Sequence, residues 1–317
     1  MYSISLILPD FAIILLGLLL SRKGGFAHEF WLGAEKLVFR FLLPPLLFVS
    51  ICRSEFTLGE SALFLSAGIS AMLAGAAASW MIRYFIRADA VSHASVFQCG
   101  FRFNTYIGFA LASRFCGPEG LSLLALLIAF WVPISNSIAV AELARAVAGA
   151  ENQSADQSRI LSATIASVAR NPLIIATVLG LVVNISGFGF PKPAMVFLEH
   201  LGNASLAMGL LCIGAGLRFE NLRSSLPHIA ASTLLRLVAV PCFAIASVHF
   251  FGLTGAAAAV VVIFAALPTA QSCYVMTAEM RGNAPLVAAV TTVQTLASMA
   301  TLSVVILFLE VLLGNAG

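Results

Sequence analysis

Gly100-Phe-Arg-Phe-Asn-Thr-Tyr-Ile-Gly108 places an arginine, an asparagine and two glycines inside a long apolar block of this chain. If the block lies in a membrane, a charge there costs about 2.5–3.5 kcal/mol on insertion scales, so Arg102 needs a partner or a purpose. Asparagine and glycine are also poor residues for continuing a helix. We therefore expect a spanning helix to be interrupted at this stretch.

A second apolar block is disturbed about half a chain later, at Ala265-Ala-Leu-Pro-Thr-Ala-Gln-Ser-Cys-Tyr274. Pro268 removes a backbone donor there, and small polar residues follow it. Two interrupted hydrophobic segments at matching positions of two halves are the best sequence indication of a transporter binding site. We predict that the two interrupted helices cross, and that the substrate binds where they meet.

The composition is that of a polytopic membrane protein. Of the 317 residues, 60% are hydrophobic and 10% are charged, and the mean hydropathy is +1.01. A soluble domain has about a quarter of its residues charged, so lipid must cover most of this surface. The net charge of +3 does not indicate a nucleic-acid partner. The six cysteines are not spaced as metal ligands, and we expect no metal, no cofactor and no disulfide framework.

Ten apolar blocks are long enough for spanning helices, which need about 20 residues. They cover 4–21, 33–52, 61–84, 92–113, 120–144, 161–185, 195–217, 226–250, 254–278 and 285–312. If the N-terminus lies outside, eleven of the 17 Lys and Arg residues fall on the cytoplasmic side, three fall opposite, and Arg40, Arg102 and Arg236 fall inside helices. The positive-inside rule therefore predicts a multi-pass inner-membrane protein with both termini outside.

Landmarks of the first half recur in the second half at a nearly constant offset. The matched pairs are Pro9 with Pro172, Gly17 with Gly180, and Gly117 with Gly282. They predict an all-α fold of two inverted five-helix repeats, in which the broken fourth and ninth helices cross. The repeats would be residues 1–148 and 161–317, with a cytoplasmic linker at 149–160. Chance matches of single Pro and Gly residues are the alternative.

Crossing of the two broken helices would bring half-helix N-termini together, and such ends favour anions. Arg102 would make this point strongly electropositive and would hold a carboxylate by two parallel hydrogen bonds. The predicted substrate-binding residues are Arg102, Asn104, Tyr106, Asn136, Pro268, Thr269, Gln271, Ser272 and Tyr274. Alternatively, the polar side chains satisfy the broken backbone or join helices. A guanidinium at such a crossing would also take the place of a bound sodium ion, so Arg102 suggests transport without sodium.

Titratable groups that could couple transport to protons are scarce in the middle of the predicted membrane spans. Asp10 starts the first helix, and we interpret it, with the other acidic residues near block ends, as a wet helix-end residue. An intramembrane enzyme would need a nucleophile with a base or a metal motif, and the scattered histidines form neither. We therefore expect a protein that is not an enzyme. Whether protons, sodium ions or no ion drives its transport stays open.

In their order and spacing, several short motifs resemble those of the auxin efflux carrier family. They are Leu43-Pro-Pro45, Arg102-Phe-Asn104 through Gly108, Val132-Pro133 with Asn136, Asn171-Pro172, and Ala266-Leu-Pro268 through Tyr274. Unlike plant members, the chain has no proline in its fourth helix and no long hydrophilic loop.

The resemblance implies an elevator-type carrier in the cell membrane. Helices 1, 2, 6 and 7 would form its scaffold, helices 3–5 and 8–10 would form its transport unit, and two scaffolds would pair in a homodimer. The implied substrates are small organic anions, such as malonate, malate or an auxin-like weak acid. Two alternatives stay open, namely a sodium-coupled symporter of the bile-acid type and a membrane sensor without flux.

Overall fold

The structure, a computed structural model, describes residues 2–54, 58–151, 169–187, 189–219 and 226–314. Helices dominate these ranges, and no β-strand occurs within them. In chain order they are α1 (Tyr2–Lys23), α2 (His28–Leu37), α3 (Leu43–Cys52), α4 (Leu58–Met81), α5 (Ala90–Phe97), α6 (Thr105–Ala150), α7 (Pro172–Ser186), α8 (Lys192–Ala215), α9 (Leu226–Leu234), α10 (Val240–Phe250), α11 (Gly255–Ala266), α12 (Ser272–Glu279) and α13 (Ala284–Gly314). From residue 152 onwards, the predicted linker lies outside the described residues.

Within the described ranges, five helical stretches are long and apolar enough to cross a membrane. They are Gly59–Tyr84, Ala90–Ala150, Lys192–Ala215, Leu226–Phe250 and Ala284–Glu310. Two shorter apolar helices are Pro172–Ser186 and Gly255–Ala266. The prediction of an all-helical membrane protein is therefore confirmed, whereas the ten spans and the inverted repeat stay predictions.

One group of helices packs through small residues. α1 runs along α8, and α3 lies against α7 and α8. Gly17 of α1 faces the backbone of Leu211, and Gly214 of α8 faces the backbone of Ile14, so a Cβ atom at either glycine would collide. In lipid, helices associate mainly by close packing, and small residues allow their backbones to approach.

A second group surrounds the two interrupted helices. α10 packs against α4 and α11, α11 packs against α6 and α13, and α5 packs against α6. Phe103 and Phe264, from the two interrupted helices, lie with their ring centroids 4.4 Å apart. The indole of the buried Trp131 donates to the carbonyl of Phe101 at 3.1 Å. The division into scaffold and transport units stays a prediction.

Two π-helical turns precede prolines and widen their helices locally. One is Val38–Leu42, before Pro44 and Pro45, and the other is Leu235–Ala239, before Pro241. A proline cannot donate to the carbonyl four residues earlier, and a π-helical turn accommodates that missing bond. The second turn carries Arg236, whose side chain is completely buried.

Gly117 divides the long helix α6 into two parts. Its backbone has φ 60° and ψ −149°, a non-helical conformation with positive φ. Glycine adopts such a conformation without the steric penalty of a Cβ atom. The division falls between the fourth and fifth apolar blocks of the sequence, as their spacing predicts.

Candidate functional site

Both predicted interruptions are present, and they are joined to each other. Residues 101–104 are not helical between the turn Gln98–Gly100 and α6, and residues 267–270 are not helical between α11 and α12. The backbone N–H of Asn104 donates to the carbonyl of Pro268 at 2.8 Å. The interruption at 101–104 forms without a proline.

Polar side chains satisfy the exposed backbone at each interruption. The Oδ1 atom of Asn104 accepts from the N–H groups of Tyr106 and Ile107 at 3.1 and 3.2 Å, and so caps α6. The Oγ1 atom of Thr269 lies 2.6 Å from the carbonyl oxygen of Cys99 and 2.5 Å from Oε1 of Gln294. Asn104 and Thr269 therefore use their polar groups on backbone and neighbouring side chains.

Arg102 lies at the crossing with neutral partners. Its side chain is 9% exposed, and no carboxylate among the described residues lies within ion-pair distance of it. Nη1 donates to Oε1 of Gln98 at 2.7 Å and contacts the sulfur of Met276 at 3.3 Å, and Nη2 donates to Ser272 Oγ at 3.1 Å. The positive charge is therefore buried and not neutralised within this part of the chain.

Gln98 holds the guanidinium in place, and the sequence reasoning missed it. Its Nε2 donates to Oγ1 of Thr277 at 2.8 Å and to the carbonyl of Ser95 at 3.3 Å, which leaves Oε1 for Arg102. Gln98 is fully buried one helical turn before Arg102. A buried amide in a membrane helix commonly serves to join helices, so no pattern in the sequence indicates this role for Gln98.

The start of α12 completes the electropositive part of the site. No side chain caps this helix N-terminus, and its first residue, Ser272, is exposed and contacts Arg102. A helix N-terminus carries about half a positive elementary charge. The guanidinium of Arg218 lies 4.5 Å from the ring centroid of Tyr274, which adds another cation beside α12.

Gln271 and Tyr106 face the neighbouring helix α8. Nε2 of Gln271 donates to the carbonyl of Ile213 at 2.8 Å. The ring of Tyr106 lies directly against Gly209, where a Cβ atom would collide with it. Among the predicted site residues, these two join the crossing to α8.

Asn136 and Pro268 contribute differently from the other predicted residues. Asn136 is half-buried in α6, and its side chain makes no hydrogen bond to Arg102 or to another described residue. Pro268 is buried and offers its carbonyl to Asn104. Direct substrate contact by either residue stays a prediction.

Gln294 and Arg236 are further polar residues that the structure places at the crossing. Gln294 is fully buried, accepts from the N–H of Thr269 at 3.1 Å, and donates to the carbonyl and hydroxyl of Ser232, both at 3.2 Å. Nε of Arg236 donates to the carbonyl of Leu267 at 2.7 Å. Arg236, and not Arg102, thus donates to the broken backbone. The hypothesis that Arg102 takes the place of a sodium ion stays a prediction.

Asp10 is not a wet helix-end residue. Its side chain is 4% exposed, and its Oδ1 atom lies 2.9 Å from Nη2 of Arg114 in α6. Its Oδ2 atom is buried without a hydrogen-bond partner. The interpretation from sequence was wrong because Asp10 lies in the third turn of a helix that is itself covered by α6 and α8.

A cavity of about 880 Å³ lies away from Arg102. Its lining comes from α3, α4, α6, α8 and the loop that precedes α11, and it includes the ion pair of Arg53 with Glu199. None of the nine predicted substrate-binding residues lines it. We place the candidate site at the crossing and not in this cavity, because the unneutralised buried cation lies at the crossing.

Comparison with known proteins gives a match over almost the whole chain. A family model described as membrane transport protein matches residues 2–306. No curated protein matches the chain. The matched residues include both interruptions, Arg102 and Arg236.

Proposed function

The chain belongs to the membrane transport protein family, the auxin efflux carrier family that its sequence resembles, and on this premise we propose that it is a secondary transporter of small organic anions. The family indicates a membrane transporter, and it is not a family of enzymes.

The observation that carries the proposal is the environment of Arg102. A guanidinium with five fixed donors keeps its charge in proteins. Burial without a counter-charge is costly unless a partner arrives, and neutral acceptors such as Gln98 and Ser272 compensate for only part of that cost. A bound anion would supply the missing counter-charge.

A carboxylate suits this geometry better than a bulky anion. Arginine pairs with carboxylates through two parallel hydrogen bonds. An oxygen placed beside Ser272 would meet the guanidinium of Arg102 and the positive end of α12 together. Arg218, stacked on Tyr274, would add attraction for a second negative group, as in a dicarboxylate.

Alternating access is supported by the contacts across the crossing. Gln271 and Tyr106 lie against α8, and the ion pair of Asp10 with Arg114 joins α1 to α6. The cavity lies between α3, α4, α6 and α8, beside Arg53 and Gly252. Within its lining, Ser122 of α6 donates to the carbonyl of Ser50 of α3 at 2.7 Å. In an elevator-type carrier, the site at the crossing would open towards a cavity of this kind in one of two states. The homodimer is proposed from the family resemblance alone.

The test combines ligand screening with counterflow. Purified protein is first screened for thermal stabilisation by acetate, malonate, malate, citrate and indole-3-acetate. The best-stabilising acid, radiolabelled, is then used for counterflow in proteoliposomes. We expect labelled acid to accumulate with the wild type and with Arg281→Gln, a control at an exposed arginine. We expect Arg102→Gln to abolish accumulation because the guanidinium is lost.

Two results would overturn the proposal. One is normal counterflow in a folded Arg102→Gln variant. The other is wild-type protein that neither binds nor exchanges any acid of the panel, which would favour a membrane sensor.

A further inference from the structure

Arg236 is the cation that lies on the broken backbone. Its side chain is 0% exposed. Nε lies 2.7 Å from the carbonyl oxygen of Leu267, Nη2 lies 3.3 Å from that of Phe264, and Nη1 lies 3.4 Å from that of Gly100. The fourth contact is with the sulfur of Met72, at 3.6 Å from Nη1. One guanidinium thus contacts the interrupted backbone of both helices.

The contacted carbonyls belong to helix ends of negative partial charge. Gly100 ends the turn that follows α5, and Phe264 and Leu267 lie at the end of α11. Each helix C-terminus carries roughly half a negative elementary charge, so two ends together roughly balance one guanidinium. No carboxylate of the described chain lies within ion-pair distance of Arg236.

In carriers with broken helices, unwound carbonyls and half-helix C-terminal ends are the groups that coordinate a coupling cation. Here the same kind of groups already hold a side chain. The planar guanidinium donates in three directions to carbonyls that a free cation would otherwise need to bind. Arginine remains protonated in proteins, so this cation is permanent.

We propose that Arg236 is a built-in replacement for a coupling cation, so that the carrier binds and moves its anion without sodium. The inference rests on the proposed transport of an anion, but it concerns a different residue and a different set of contacts. Arg236 is a positioning residue, since it fixes the two interruptions and hence the placing of Arg102 relative to Ser272. Removing its side chain would leave a cation-shaped vacancy that a free guanidinium ion would fill.

The first part of the test uses the wild-type protein. Counterflow of the best-stabilising acid is measured in sodium chloride, potassium chloride and choline chloride. We expect rates within about twofold of one another, well below the tenfold change that accompanies roughly 1.4 kcal/mol of binding. Abolition of counterflow in both sodium-free buffers would overturn the proposal.

The second part uses Arg236→Ala, with Arg236→Lys as the variant that keeps a charge. The melting temperature of each purified protein is measured with and without low millimolar guanidinium or methylguanidinium, and with sodium in its place. We expect guanidinium to raise the melting temperature of Arg236→Ala but not that of the wild type or of Arg102→Ala. Counterflow by Arg236→Ala should recover in the same solutions.

An equal response of Arg236→Ala and Arg102→Ala to guanidinium would show no specific vacancy and would overturn the proposal. If Arg236→Ala does not fold, counterflow by the wild type in the sodium-free buffers still tests the proposal. The melting-temperature response does not depend on transport, so it tests Arg236 even if the protein moves no acid of the panel.

Discussion

At the scale of single residues, the arrangement around Arg102 keeps a positive charge available in an apolar setting. Gln98 and Ser272 orient the guanidinium without neutralising it. A carboxylate in place of either would orient it equally well but would cancel its charge. The neutrality of these two partners is therefore part of the proposed recognition.

Gln98→Glu would place a carboxylate beside the guanidinium of Arg102. The new carboxylate would pair with Arg102 and act as an internal competitor of the substrate. We expect anion binding to weaken by about tenfold or more, while the melting temperature is kept or raised because a buried cation gains a counter-ion. Ligand-induced stabilisation and equilibrium binding measure the two effects. Unchanged affinity in Gln98→Glu would show that the substrate does not use the charge of Arg102.

Single residues also show what the sequence could and could not reveal. Arg102 was predictable because a charge inside an apolar block is rare and demands an explanation. Arg236 has the same signature, but its carbonyl acceptors lie up to 136 positions away in sequence, so its role can be recognised only in the folded structure. The amides of Gln98 and Gln294 carry no signal of their own, since buried amides commonly join membrane helices.

Among the helices, the two interruptions are stabilised more by side-chain caps and by the hydrogen bond between them than by proline. Pro268 marks the interruption before α12, but the one before α6 depends on the side chain of Asn104 and the N–H that it gives to Pro268. The sequence predicted both because glycine, asparagine and proline all disfavour helix. It did not predict that one interruption would hydrogen-bond the other.

α5 leads to Gln98 and Arg102, and its start is capped by Asp89. The Oδ1 atom accepts from the N–H of Ser92 at 2.8 Å, and hydrogen bonds from Ser92 lower the pKa of Asp89 below its ordinary value of 3.8. Asp89→Ala should lower stability at neutral pH by about 1 kcal/mol, the usual contribution of an N-cap. Melting temperatures in detergent measure the loss.

The pH dependence of that loss has a definite sign. Because the pKa of Asp89 is lowered in the folded state, the stabilisation is present above the ordinary value and is lost as the pH falls through the folded value. The difference between wild type and Asp89→Ala should therefore shrink in acid. Asp89→Asn keeps a capping oxygen without titrating, so its difference from Asp89→Ala should stay constant. A loss in Asp89→Ala that grows in acid would contradict this account.

At the scale of the whole molecule, the ion pair of Asp10 with Arg114 connects helices that the resemblance assigns to scaffold and transport unit. Asp10 is buried, whereas Arg114 is 37% exposed in its side chain. Removing the arginine leaves a buried carboxylate unpaired, which costs about 3–5 kcal/mol, and removing the carboxylate leaves a cation that reaches solvent.

We therefore expect Arg114→Ala to destabilise the protein much more than Asp10→Asn. The double variant should recover most of the loss that Arg114→Ala causes, because no unpaired carboxylate remains. Melting temperatures of the four proteins in a double-mutant cycle measure the coupling. Equal losses from the two single substitutions, with no coupling, would show that the pair does not join these helices.

The overall architecture was partly predictable from composition and periodicity. Hydropathy predicted membrane helices, and the glycine at 117 marked a division between blocks. Packing between distant helices, such as Gly17 of α1 against α8, is not encoded by any local pattern. The same holds for Asp10, whose burial depends on α6 coming to lie beside α1.

In the proposed function, the charge of Arg102 binds an organic anion. Equilibrium binding of the best-stabilising acid to purified wild type, Arg102→Gln and Arg281→Gln tests it most directly. The account predicts wild-type affinity for Arg281→Gln and affinity weaker by about tenfold or more for Arg102→Gln. Equal affinity of all three proteins, with Arg102→Gln shown to be folded, would contradict it.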